Sequence, residues 1–249
     1  MKKQFAGLAL GVMCLIGIQG CGILSSDKFS AMDGSAGSAA NEVASMGDAA
    51  SGMLDPLGLA KELVTTDSSY IERNVSWSVS SNGGIVRTAS VSSPRGTISR
   101  IDTIWFKDVA GAILLTPRVE AVGSFRHVRY AKMTGMRQNS YSNVLDMSVT
   151  ISRTAVDTTF EWPNGTITGS YNDEVMSQTN VTGVKRQWKR GTVPHLQFPS
   201  AGTISIARPL RSMVITFDGD STATVVAKRI RDDATRTFTV NLKTGEEQE

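Results

Sequence analysis

From residue 70 onward, apolar residues recur at every second position over much of this chain. A period of two puts alternate side chains on opposite faces of an extended backbone, so it restricts the chain to half-buried strands. Ile71, Val75, Trp77 and Val79 alternate with polar residues. Ser81-Asn82-Gly83-Gly84 follows as a hairpin turn, because Asn-Gly accepts the positive φ of a tight hairpin. Segments 85–92 and 97–107 read as two further strands, turned at Ser93-Pro94-Arg95-Gly96. Segment 112–115 is apolar on both faces, which reads as a central core segment, and Pro117 limits its ladder. Segments 125–133, 144–153, 158–162, 203–207, 213–217, 222–227 and 237–242 continue the strand pattern. Asn164-Gly165 reads as another hairpin, joining TTFEW to TITGSY, and Asp218-Gly219 as a turn. Short strands with a turn roughly every twelve residues predict a mainly β fold, an antiparallel β-sandwich or barrel. No sustained helical period follows residue 66.

One regularity invites a repeat reading. TISR stands at 97–100 and at 150–153, and TISI at 203–206, each 53 residues after the last. A fixed period is the mark of a repeat array. Identity ends outside the four residues, however, and Thr-Ile-Ser is a common strand composition.

The N-terminus has another character. Lys2 and Lys3 precede a 14-residue apolar stretch at 5–18. That is short of the roughly 20 residues of a membrane span and fits the h-region of a secretory signal. It ends in Ile18-Gln19-Gly20-Cys21. An aliphatic residue three before a cysteine and a small one directly before it resemble the lipobox of bacterial lipoproteins, with Gln19 longer than the residue usual there. The resemblance covers residues 1–22. It implies cleavage between Gly20 and Cys21, a diacylglyceryl thioether on Cys21, and acylation of the new amino terminus with a chain such as palmitate. Residue 22 is Gly rather than Asp. By the sorting rule of enterobacterial lipoproteins this implies the outer membrane rather than the inner one.

Removing residues 1–20 changes the chemistry left to the chain. Two of the 26 basic residues leave and all 23 acidic ones stay, so the formal charge falls from +3 to +1. A balance so near neutral is no nucleic-acid footprint. Of the two cysteines, Cys14 leaves and Cys21 is acylated, so no thiol remains for disulfides, zinc or nucleophilic catalysis. The Ala/Ser/Gly-rich stretch behind Cys21 reads as a flexible tether. Asp55-Pro56 then has the form of an N-cap with proline at the first helical position. Leu57, Leu59, Ala60, Leu63 and Val64 offer an apolar face, predicting a short helix near 56–65. The expected organisation is thus a signal at 1–20, acylated cysteine and tether at 21–54, and at 55–249 one short helix plus a single β-rich domain. About 180 residues suffice for one core.

Residues that could carry chemistry are sparse. His127 and His195 stand apart, with no HExxH and no close pair; no metal or other cofactor is expected. Asp218-Gly219-Asp220-Ser221 lacks the later ligands of a calcium loop. No G-x-S-x-G elbow occurs. Glu161, Asp173 and Glu174 are the carboxylates available for paired acid–base work, and each reads more simply as a strand-edge or turn group.

Two basic stretches remain. Arg118, Arg126, Arg129, Lys132 and Arg137 have only Glu120 among them. Lys185, Arg186, Lys189 and Arg190 surround Trp188, as in a loop that contacts an anionic surface such as lipid headgroups. The expectation is a cell-envelope lipoprotein whose β domain, in the periplasm or at the surface, binds or scaffolds without catalysis. Its partners would be the membrane, through its anchor, and an envelope protein or glycan. A lipid carrier with an apolar barrel cavity is the alternative. A hydrolase, which needs a cleft joining a histidine to carboxylates, is the third reading.

Overall fold

The period-two segments do become strands, and every one of them joins a single sheet. The structure, a computed structural model, describes residues 75–93, 96–135, 139–189, 199–219, 221–242 and 247–248. The signal, Gly20, Cys21, the tether, the helix expected at 56–65 and Ile71 lie outside them. So do Arg137, Arg190 and His195.

The strands are β1 (Val75–Val79), β2 (Ile85–Ser93), β3 (Gly96–Lys107), β4 (Ser124–Gly135), β5 (Ser140–Arg153) and β6 (Asp157–Tyr171). They continue with β7 (Glu174–Lys189), β8 (Ala201–Arg208), β9 (Arg211–Phe217), β10 (Thr222–Arg229), β11 (Thr235–Asn241) and β12 (Glu247–Gln248). Each pairs antiparallel with the next, in the order of the sequence. The mainly β, antiparallel class expected from the alternation is therefore observed. The sheet is an open meander, with β1 at one edge and β12 at the other.

Parity decides which face is buried. Ile104 and Phe106 on β3, Phe125 on β4, Leu145, Met147 and Val149 on β5, and Ile215 and Phe217 on β9 are at most 6 % exposed. The residues between them are half-buried or exposed. One cluster of buried side chains runs from Ile85 on β2 to Leu242 just past β11. A single core shared by ten consecutive strands means that the sheet curls and its own strands cover one another.

The hairpins follow turn chemistry. Gly83, between β1 and β2, has φ +79°, as the Asn-Gly reading requires. Asn172 and Asp173, between β6 and β7, have φ 47° and 66°. Asn and Asp are the non-glycine residues that best tolerate this left-handed region.

Three local expectations are corrected. Asn164-Gly165 is no hairpin, because β6 runs straight through it. Gly165 passes so close to β5 that an added Cβ would sit 2.8 Å from Met147 Cγ. Pro163 falls where the β5–β6 ladder shifts register, between Ser148 and Thr150, a place where a missing N–H breaks no regular pair. Segment 112–115 is no central strand. It belongs to the β3–β4 connection, where Ile113 and Leu115 are about half exposed and only Leu114 packs on the core. Finally, β7, the longest strand with 16 residues, was not expected at all. Its ladder with β8 shifts register between Thr182 and Lys185 at Gly183, φ +60°. Inward positions move from Thr179 and Val181 to Val184 and Arg186 across that shift, and the alternation is hidden.

The three Thr-Ile-Ser copies fall in β3, β5 and β8. The number of strands between successive copies differs, so no repeating structural unit matches the 53-residue spacing.

Candidate functional site

The basic stretch around Trp188 is not a loop through Lys189. Lys185 to Lys189 are the last five residues of β7, paired with Asp157 to Glu161 of β6. A strand cannot present all its cations on one side. Arg186 is 8 % exposed on the core side, where burial lowers its pKa. Lys185 is on the opposite face, its Nζ 3.4 Å from Glu161 Oε2. Lys185 and Arg186 thus take opposite faces, and Trp188 and Lys189 follow them in the same strand.

The three carboxylates available for acid–base work are not brought together. Glu161 lies within β6, whereas Asp173 and Glu174 stand exposed at the tip of the β6–β7 hairpin. Glu161 and Tyr171 are ten positions apart, about 30 Å along an extended chain.

His127 is different. It lies on β4 at core parity with Phe125 and is 2 % exposed. Asp102 occupies the matching face of β3, between Ile104 and Arg100, and is fully buried. Register then gathers the charges. Arg87 on β2, Asp102 on β3 and Arg129 on β4 are direct cross-strand partners. Asp102 Oδ1 lies 2.8 Å from His127 Nε2 and accepts from Arg129 Nε at 2.8 Å. Arg100 donates through Nε to Oδ2 at 2.5 Å and through its second amino group to Oδ1 at 3.1 Å.

These contacts set the ionisation. Burial by itself would raise the Asp102 pKa. The His127 hydrogen bond, the charges of Arg100 and Arg129 and the Arg100 hydrogen bond outweigh it and hold the carboxyl far below the usual range. Burial pushes His127 down, against the pull of Asp102 and with the push of Arg129 and Arg100. A neutral His127 is then the donor to Asp102 through Nε2. Two guanidinium groups, of Arg100 and Arg129, hold the carboxylate, while Arg87 Nε is buried with no hydrogen-bond partner among the described residues. The Arg87 guanidinium carbon lies 5.7 Å from the centre of the Trp77 ring on β1.

The hydrolase reading asked for a histidine beside a carboxylate, and His127 with Asp102 is such a pair. Both are shut inside the sheet wall, however, and Asp102 is held by Arg100 of its own strand and by His127 and Arg129 of β4. A group this enclosed cannot touch a substrate, and its chemistry is to lock β3 to β4. Among the described residues there is no cluster of His, Cys, Asp or Glu fit to hold a metal. The signal for this cluster was in the sequence: Asp102, His127 and Arg129 share core parity with Ile104, Phe106 and Phe125.

The outer face of the same strands carries the exposed apolar surface. Ile101, Tyr130 and Val144 are direct cross-strand neighbours on β3, β4 and β5. They are 43 %, 40 % and 40 % exposed. Opposed side chains on one sheet face have Cβ atoms about 5 Å apart, so the three form one continuous strip. Four residues along β4 from Tyr130, Arg126 lies over the Trp105 ring, 5.6 Å from its centre, and makes a two-pronged hydrogen bond to Asp146.

No family model, no curated protein and no solved structure matches this chain.

Proposed function

We propose that this protein is a cell-envelope lipoprotein, acylated at Cys21 and held at the outer membrane, whose β domain binds a partner without catalysis. The anchor rests on the lipobox-like residues Ile18, Gly20 and Cys21. The observation that carries the binding role is the strip Ile101–Tyr130–Val144, a contiguous apolar and aromatic surface turned outward from a filled core. Aromatic residues on an exposed sheet face suit either a protein or a glycan. The carrier alternative asks for an apolar hollow inside the sheet. Side chains lining such a hollow would keep accessible surface, whereas Phe106, Ile215, Val225 and Val240 on the inner face are at most 1 % exposed.

The test places a photo-crosslinking amino acid at Tyr130 in the full chain, in living cells, beside the same residue at exposed Thr150 of β5. A discrete product from position 130 and none from 150 supports the reading. A protein band names a protein partner, and a ladder collapsed by glycan hydrolase names a glycan. Equal products at both positions, or none, overturn the binding strip. Cys21→Ser is expected to abolish acyl labelling and release the chain from membranes; unchanged labelling removes the anchor.

A further inference from the structure

Sheets that end in an open edge expose unpaired N–H and C=O groups, and most such edges are blunted by charge, proline, a bulge or brevity. The β12 edge is blunted in this way. It has two residues, and its Glu247 is ion-paired to Arg236. The β1 edge is not. Val75-Ser76-Trp77-Ser78-Val79 carries no charge, no proline and no bulge.

Register places Trp77 and Val79 opposite Arg87 and Ile85, on the face that is the core elsewhere in the sheet. Yet Ser76, Trp77, Ser78 and Val79 are all exposed, Trp77 at 38 % and Val79 at 57 %. Consecutive strand residues point to opposite faces, so four exposed in a row means that, among the described residues, β1 is open on both.

The sequence of β1 is also a palindrome about Trp77. Two copies paired antiparallel and centred there would set Trp77 against Trp77, Val75 against Val79 and Ser76 against Ser78. Every opposed pair would be apolar with apolar or hydroxyl with hydroxyl. No charge opposes another, and the relation is the two-fold, self-complementary one of most homodimers. Arg87, stacked on the Trp77 ring, already holds the indole on the shared face.

We propose that β1 is a self-pairing edge, and that its partner is β1 of a second copy of this chain, joined antiparallel about Trp77. A five-residue strand pair buries less than the roughly 1,200–2,000 Å² of a stable interface, so the association belongs to the weak class. It is therefore to be trapped rather than isolated.

Register supplies the test. Two full-length forms, S76C and S78C, carry different tags, are produced separately or together, and are oxidised before lysis. Residues 76 and 78 of paired copies face each other at about 5 Å between Cα atoms, within disulfide reach, whereas 76 to 76 is offset by two residues to about 8 Å, beyond it. The expected result is a disulfide dimer carrying both tags, and loss of that band when either form is oxidised alone. The parent chain and V109C, on the exposed β3–β4 connection, should give no such band. No mixed-tag dimer from folded protein would overturn the proposal. Equal dimer in all samples would do the same, as would capture of a different protein by β1, which would assign the edge to a foreign strand.

Discussion

Replacing Asp102 with Asn keeps the volume of the side chain and removes its charge. The Asp102 side chain is 1 % exposed and holds Arg100, His127 and Arg129 at once. As an amide it presents an N–H₂ where Arg100 or His127 now finds an acceptor. Arg100 and Arg129, 17 % and 10 % exposed in their side chains, then lose the anion that balances them. Breaking a buried ion pair from one side costs about 3–5 kcal/mol. At about 2–4 °C per kcal/mol for a domain of this size, Tm should fall by roughly 6–20 °C. Thermal unfolding by circular dichroism at pH 7 measures this, and urea unfolding with an unchanged m-value confirms that stability is what moved.

The pH dependence gives an independent arm. Asp102 has a folded pKa below its unfolded value of about 3.9, so its stabilisation is present above that value and lost as pH falls toward the folded pKa. His127 is also depressed, below about 6.5, so the unfolded chain takes up its proton first and stability declines as pH drops under that value. Each group contributes at most about 1.4 kcal/mol per pH unit. The parent protein should lose stability in two stages on acidification. H127Q should remove the upper stage, and D102N the lower. A D102N loss under about 1 kcal/mol, the scale of an exposed pair, or an unchanged acid profile would refute the account of this cluster.

Two contrasts follow from the same geometry. The Arg126–Asp146 pair is as short, at 2.7 Å, but its side chains are 56 % and 39 % exposed; R126A should cost no more than about 1 kcal/mol, falling further in high salt. Gly202→Ala should cost more than about 2 kcal/mol by urea unfolding, because Gly202 has φ +98° and a Cβ there would lie 2.4 Å from the Val184 backbone. A neutral G202A would show that the β7–β8 ladder can move apart at its register shift.

Much of the fold was legible because strand parity is a local property. Segments 213–217 and 222–227 reappear as β9 and β10 within two residues at each end. The places where the reading failed share one cause. Asn164-Gly165 has the chemistry of a hairpin, and only the approach of Met147 from β5 makes it part of a continuous strand. In β7 the register shift at Gly183 moves the inward positions by one, so its alternation cannot be followed along the chain. The candidate surfaces divide likewise. Lys185 and Arg186 read as part of one basic patch when charge is counted along the chain, while the strand sends these two neighbours to opposite faces. Ile101, Tyr130 and Val144 lie tens of residues apart and become one strip only through pairing.

By itself the sequence determined that this chain is built of antiparallel strands, where several of its turns fall, and which side chains share a face. These follow from backbone sterics over a few residues. The tertiary structure alone decided that the strands stay in a single open meander, that Asp102 is held by two arginines and a histidine, and that β1 is the first strand of the sheet among the described residues. Register, curl and closure depend on contacts between residues far apart in the chain, and no local period carries them.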